Sequence, residues 1–193
     1  MKFEPGTRFS YSNGGYILLG VVIEELTGMK YQEYVTDEIF KAIGMDRSGY
    51  FAFNRLPEKT ALGYIEEDGS WRTNIYNLPI VGASDGGAYT TVDDLATLWK
   101  AFWGNGILPG ELVEVYARPY VKSEEGKHTY YGHGLWIEDA TCGLPEVYIM
   151  GGDAGVSFKS SVNRIDDLQV TVISNTSDGA WPVLRDIKCA LKE

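Results

Sequence analysis

The sequence predicts an α+β fold on three observations: apolar residues at helical spacing dominate residues 1–120, a period of two takes over across 121–193, and an amphipathic stretch closes the chain. The first helix is read over residues 14–28, GGYILLGVVIEELTG. It is apolar on nearly every side until Glu24 and Glu25, the pattern of a helix buried in the middle of a lobe, and Gly28 supplies its C-cap. A second helix, KYQEYVTDEIFKAIG, carries Tyr31, Tyr34, Val35, Ile39 and Ile43 near helical spacing and stops at Gly44. From Gly49 to Ala88 the pattern dissolves into short aromatic and Gly/Pro-bearing pieces, a structured excursion near a site. TTVDDLATLWKAFWGNG opens with Thr91 and places Asp94 three residues later, a capping-box-like entrance, with Leu95, Leu98, Trp99 and Phe102 as the buried stripe. LPGELVEVYARP follows as a short helix. TYYGHGLWIED, EVYIMG, VSFKSSVNR and LQVTVISN then read as successive strands of an antiparallel meander, joined by DAG and IDD turns. AWPVLRDIKCALK is the closing helix, suited to cover one face of that sheet.

A chain of 193 residues suits one domain, and its 44% hydrophobic and 23% charged content argues against disorder. Thirteen Tyr, seven Phe and five Trp require that many rings be buried, line a cleft or meet a partner. The net charge of -10, with no lysine-arginine cluster, excludes nucleic acid and anionic membrane surfaces as partners. Cys142 and Cys189 are two free thiols or one bridge; their spacing is not that of metal ligands. The opening MKFEPGTRFSYS lacks the apolar run of a signal peptide, and YILLGVVI is too short to span a bilayer, so the expectation is a soluble chain not addressed for export. No metal-ligand cluster, phosphate-binding loop or dinucleotide fingerprint is present, and no cofactor is expected.

FEPGTRFSYSNGGYILLGVVIEELTG, then IGM, GGAYTTVDDLATLWKAFWGNG, YGHGLWI and a Gly-rich turn into GVSFKS occur in that order over almost the whole chain. Together they resemble the serine β-lactamase and penicillin-binding-protein-like hydrolases, in the class C and related esterase branch. The resemblance implies an acyl-serine enzyme acting on β-lactam, D-alanyl-peptide or ester carbonyls. It assigns Tyr11 as general base or proton shuttle, and Asn13 as the group that hydrogen-bonds the substrate amide and a neighbouring lysine. The family's nucleophile lies on an upstream Ser-x-x-Lys helix. Here no serine is followed three residues later by lysine, and only Thr27/Lys30 and Thr97/Lys100 come near the pattern. The third motif, Lys-Thr-Gly or His-x-Gly, falls on Ile149, Met150 and Gly151, so its cation or imidazole is missing too. Gly151 and Gly152 then stand for the substrate-binding strand, with the Gly152 backbone N–H in the place of an oxyanion donor.

The predicted architecture is thus a truncated β-lactamase/transpeptidase-like fold: a partial helical lobe, an antiparallel sheet and a C-terminal helix in one domain. A phenol with a reference pKa of about 10 needs about 4 kcal/mol of preferential phenolate stabilisation to act near pH 7, and cations normally provide it. Without the motif lysine, Tyr11 is expected to be a neutral phenol in a remnant that is inactive by itself. A non-catalytic peptidoglycan- or peptide-binding module and one half of a split hydrolase are the alternatives. Surface left open by truncation is expected to drive homo-oligomerisation. Blander readings also apply: Ser12 or Asn13 as helix cap, His133 as a structural histidine in a core strand, His128 as solvated, Asp85 and Asp153 as turn residues, and Glu124-Glu125 as a solvated pair.

Overall fold

The computed structural model describes residues 2–139 and 145–191. Cys142 lies outside them, and Cys189 is a free, exposed thiol.

Helix α1 (Asn13–Thr27) begins where the Ser12 hydroxyl accepts the Gly15 N–H at 3.2 Å, and ends at Gly28, whose φ of 69° needs glycine. Helix α2 (Tyr31–Tyr34) runs directly into a π-helical turn, Val35–Phe40, and a 3-10 turn, Lys41–Ile43, stopped by left-handed Gly44. These pieces make the expected second helix as one continuous element.

The excursion that follows contains a hairpin absent from the sequence reading, β1 (Tyr64–Glu67) and β2 (Ser70–Thr73), turned by Asp68-Gly69 with both φ values positive. Its base is tied to the far end of the chain. The Tyr64 N–H donates to Asn175 O at 2.8 Å, and the Asn74 amide donates to Ala154 O at 2.9 Å.

Helix α3 (Val92–Trp103) is capped by Thr91 as expected, but the Asp94 carboxylate does not complete a capping box. It is buried instead, accepting from Ser48 Oγ at 2.6 Å and the Arg47 N–H at 3.0 Å, and so clamps α3 to the turn after α2. Helix α4 (Gly110–Tyr116) follows.

Six strands form one antiparallel meander in chain order: β3 (Val121–Lys122), β4 (Thr129–Tyr131), β5 (Trp136–Glu138), β6 (Glu146–Asp153), β7 (Val156–Asn163) and β8 (Leu168–Ser174). TYYGHGLWIED is therefore two strands and not one. Left-handed Gly134 turns the chain between Tyr131 and Trp136, placing His133 exposed in that turn, edge-on to Tyr120, and not in a core strand.

Alternation sorts the sheet into two faces. Val147, Ile149 and Val162 point to a core built from Trp99, Phe102, Val113 and Leu135. Within it, Trp99 Nε1 donates to the fully buried Ser160 hydroxyl at 2.8 Å. The opposite face carries Glu146, Tyr148 and Lys159, and is covered by helix α5 (Ala180–Ala190) through buried Ala180 and Leu184. The closing helix thus takes the position expected of it.

The largest departure concerns α1. Its only buried residue is Gly20, and the inward stripe is narrow: Tyr16, Gly20, Ile23 and Glu24. Ile17, Leu18, Leu19, Val21, Val22 and Leu26 are exposed. The helix docks through its glycine because Ser84 approaches so closely that a Cβ on Gly20 would lie 2.2 Å from Ser84 Oγ. Among the described residues, nothing covers the aliphatic side.

Candidate active site

Ser12 enters α1 in extended conformation, at φ -153° and ψ 108°. Because Ser12 takes the capping role, the side chain of Asn13, the first helical residue, is left exposed beside the helix entrance. Tyr11 is 61% exposed. It borders an open cleft of about 390 Å³ lined by Lys2, Phe3, Pro5, Ser10, Tyr11 and Ser12.

An aromatic relay fixes this segment on the sheet. The Phe9 ring lies 5.2 Å from Tyr131 and 5.7 Å from Trp136. Tyr16, one turn into α1, hydrogen-bonds the Tyr131 hydroxyl. Tyr131 meets Trp136 edge-on at 4.8 Å, and Trp136 stacks on Tyr148 at 6.3 Å. Burial raises the Tyr131 phenol well above its ordinary range, helped by the bond to Tyr16 and the proximity of Tyr16 and Tyr11. Tyr131 is therefore a neutral hydrogen-bonding partner. The excess of aromatics in the sequence required only that rings be buried, line a cleft or meet a partner; this order of contacts required the strand register.

Beneath Tyr148 lies an ionic cluster that no sequence pattern announced. Lys159 Nζ sits 3.7 Å from the Tyr148 ring centroid and bonds the Glu146 carboxylate. Lys188, from α5, reaches the same oxygen at 2.8 Å and Glu138 at 3.4 Å. Burial alone would raise the Glu146 pKa, but the two ammonium groups hold it down at about 2. Burial pulls the Lys159 ammonium below its usual value against the opposing pull of Glu146. Tyr148 is pushed up to about 12 by burial and by the charges of Glu138 and Glu146.

Gly151 and Gly152 lie near the end of β6, opposite Phe158 and Ser157 of β7. A Cβ on Gly151 would stand 2.7 Å from the Phe158 ring, so close approach explains that glycine; at Gly152 the nearest atom is 3.8 Å away. On its other side β6 pairs with β5 only as far as Tyr148, which leaves Met150–Asp153 with an open edge among the described residues. Ile149 packs in the core, and Met150 is exposed. Lys159 faces Met150 in the register, yet its ammonium is committed to Glu146 and Tyr148 and does not replace the third-motif cation.

Tyr11 and Asn13 thus share the mouth of α1, while Gly151 and Gly152 share the end of β6. The ring contacts run from Phe9 through Tyr131 and Trp136 to Tyr148, which lies on the same strand as Gly151 and Gly152. His128 pairs with Asp139 at 3.3 Å, and Asp153 Oδ1 accepts the Ala154 N–H, a turn role. Among the described residues no group of three His, Cys, Asp or Glu side chains could hold a metal, and no helix is long and apolar enough to cross a membrane.

The sequence profile of the Beta-lactamase family matches residues 1–189. The chain belongs to the Beta-lactamase family. Among solved structures, the penicillin binding protein from Bacillus halodurans superposes with a TM-score of 0.92 at 45% identity, covering 98% of this chain and 59% of that one. The octameric penicillin-binding protein homologue from Pyrococcus abyssi gives 0.80 at 30% identity, covering 91% of this chain and 40% of that one. Penicillin-binding protein 4* of Bacillus subtilis (strain 168) is 30% identical over 149 residues, 70% of this chain and 32% of that protein. The fold of this Beta-lactamase family chain is the α+β β-lactamase/transpeptidase architecture, and the chain spans less than two thirds of the length of each of these relatives.

Proposed function

We propose that this chain provides the tyrosine-asparagine half of an acyl-serine site for β-lactam, D-alanyl-peptide or ester carbonyls, and that by itself it does not turn them over. One observation carries the reading. Tyr11 and Asn13 stand exposed at the mouth of α1, yet the sequence holds no Ser-x-x-Lys pair. In the chemistry that the family resemblance implies, a serine oxygen bonds to the carbonyl carbon, the bond from carbon to the leaving nitrogen or oxygen breaks, and the serine proton ends on the leaving atom. Tyr11 would relay that proton, Asn13 would hold the substrate amide, and the Gly152 N–H on the open edge of β6 would face the oxyanion. A D-aminopeptidase of Gluconobacter oxydans and a putative D-alanyl-D-alanine carboxypeptidase of Escherichia coli, 28% and 24% identical, support the substrate class.

The test is hydrolysis of nitrocefin and of p-nitrophenyl esters by the purified chain. No turnover is expected. Turnover that disappears in Tyr11→Phe would overturn the proposal. The unpaired edge at Met150–Asp153 favours a second reading, a non-catalytic module that adds a D-alanyl peptide to β6 as an extra strand. Calorimetric binding of such a peptide without acylation is its signature.

A further inference from the structure

We propose that Asn74 is a positioning residue for the Gly152 N–H: its buried amide braces the turn that ends β6 and so aims the backbone donor; this rests on the acyl-serine reading above, which assigns that donor to the oxyanion. The donor needs such a brace. Gly151 and Gly152 are consecutive glycines, free of the side-chain limits on φ and ψ, at a strand end with β7 on one side and an open edge on the other. A Cβ on Gly152 would stand 3.8 Å from its nearest neighbour, the Trp181 ring, so close packing does not lock the position. A donor that serves a developing negative charge works only when it is fixed in advance.

What fixes it arrives from the excursion between the helices. The turn Asp153-Ala154-Gly155 is held at its backbone groups: Asp153 Oδ1 accepts the Ala154 N–H at 2.7 Å, Ser177 Oγ accepts the Gly155 N–H at 2.9 Å, and Asn74 Nδ2 donates to Ala154 O at 2.9 Å. Of these side chains Asn74 is the enclosed one, at 2% exposure, whereas Asp153 is exposed and Ser177 half-buried. Its own backbone is bound on both sides, the N–H to Gly63 O at 3.0 Å and the carbonyl accepting the Asn77 N–H at 2.9 Å. Glycines let the two segments touch: a Cβ on Gly63 would lie 2.6 Å from Gly155 O, and one on Gly155 would lie 2.9 Å from the Tyr64 backbone nitrogen.

The other half of the Asn74 amide shows what the residue is for. Among the described residues, its Oδ1 is buried without a hydrogen-bond partner. A buried carboxamide with an unpaired oxygen is a poor choice for packing, where leucine has nearly the same shape and no polar atom to desolvate. The Nδ2 donor is the part in use, and it lands on Ala154, two residues from Gly152. The hairpin that delivers Asn74 is fastened to the β8 exit as well, because Asn175 Nδ2 donates to Leu62 O at 3.1 Å. β1 and β2 therefore belong to the machinery of the site, as the support of its backbone donor.

The experiment measures glycine amide order parameters by NMR in the purified chain, in Asn74→Leu, and in Ser48→Ala, a buried change at the Asp94 clamp on α3. Gly151 and Gly152 should be rigid in the parent, near about 0.85, fall below about 0.6 in Asn74→Leu, and keep the parental value in Ser48→Ala. Should Asn74→Leu not fold, Ser177→Ala, which removes one acceptor from the same turn, is read in its place and should loosen the same two amides. A merely structural Asn74 would change the melting temperature and leave Gly151 and Gly152 rigid. That result, or an equal loss of order in Ser48→Ala, overturns the proposal. Titration with N-acetyl-D-alanyl-D-alanine separates it from the reading on which it rests. A shift of the Gly152 resonance whose affinity weakens at least about 10-fold in Asn74→Leu supports both. A shift with unchanged affinity overturns the positioning role. Order lost in Asn74→Leu, with no shift of Gly152 by the peptide, sustains the brace and overturns the assignment of Gly152 to the substrate.

Discussion

Glu146→Gln should cost about 3 kcal/mol at pH 7 and remove a pH dependence that the unaltered chain shows below pH 5. Glu146 is 8% exposed and accepts from two ammonium groups, one of which, Lys159, is itself 8% exposed. Its carboxyl moves from 4.5 to about 2, and at ~1.36 kcal/mol per unit this is about 3 kcal/mol. Removing one member of a buried pair costs about 3–5 kcal/mol by direct analogy, so the two routes agree. The folded-state value lies below the unfolded one. The contribution is therefore fully present above about pH 4.5 and is lost as pH falls from there toward 2. Urea unfolding followed by tryptophan emission measures it, with a midpoint shift on the order of 1.5 M if m is about 2 kcal/mol/M. The variant should show less destabilisation between pH 5 and pH 3 than the parent, with Glu138, Lys159, Lys188 and Tyr148 unchanged. Equal midpoints at pH 7, or equal acid slopes, would refute the assignment of Glu146 as the anion that joins β6, β7 and α5.

Gly20→Ala should destabilise by about 1–3 kcal/mol because its Cβ meets Ser84, and Ser84→Gly should restore most of that loss in a double-mutant cycle. Gly151→Ala should be clearly more destabilising than Gly152→Ala, since the added carbon meets the Phe158 ring at 2.7 Å in one case and nothing nearer than 3.8 Å in the other; thermal melts of the pair decide it. Trp99→Phe removes the donor to buried Ser160 Oγ and should cost about 1–3 kcal/mol in chemical denaturation. Tyr11→Phe should leave stability within about 0.5 kcal/mol, as expected of an exposed hydroxyl outside the packing.

The sequence by itself determined the parts whose causes are local. Gly28 ends α1 and the cap falls on Ser12, one of the two candidates Ser12 and Asn13, Thr91 starts α3 and its Leu95, Trp99 and Phe102 stripe faces inward, and the last three strands alternate as written, because capping and periodicity act over a few residues. The hairpin turned by Asp68-Gly69 was not read from the sequence, because its strands are four residues long and largely polar and carry little apolar alternation. The place of Tyr11 and Asn13 at a helix mouth followed from the apolar run that begins beside them, while their site roles are what the family resemblance implies. Only the tertiary structure decided that α1 turns Gly20 inward and its leucines outward, since the choice depends on Ser84, distant in sequence. It alone joined Glu146, Lys159 and Lys188, and ordered Tyr16, Tyr131, Trp136 and Tyr148 beneath the site. Contacts of that range leave no periodic trace in a sequence, because each partner is chosen by the register of other strands and not by its own neighbours.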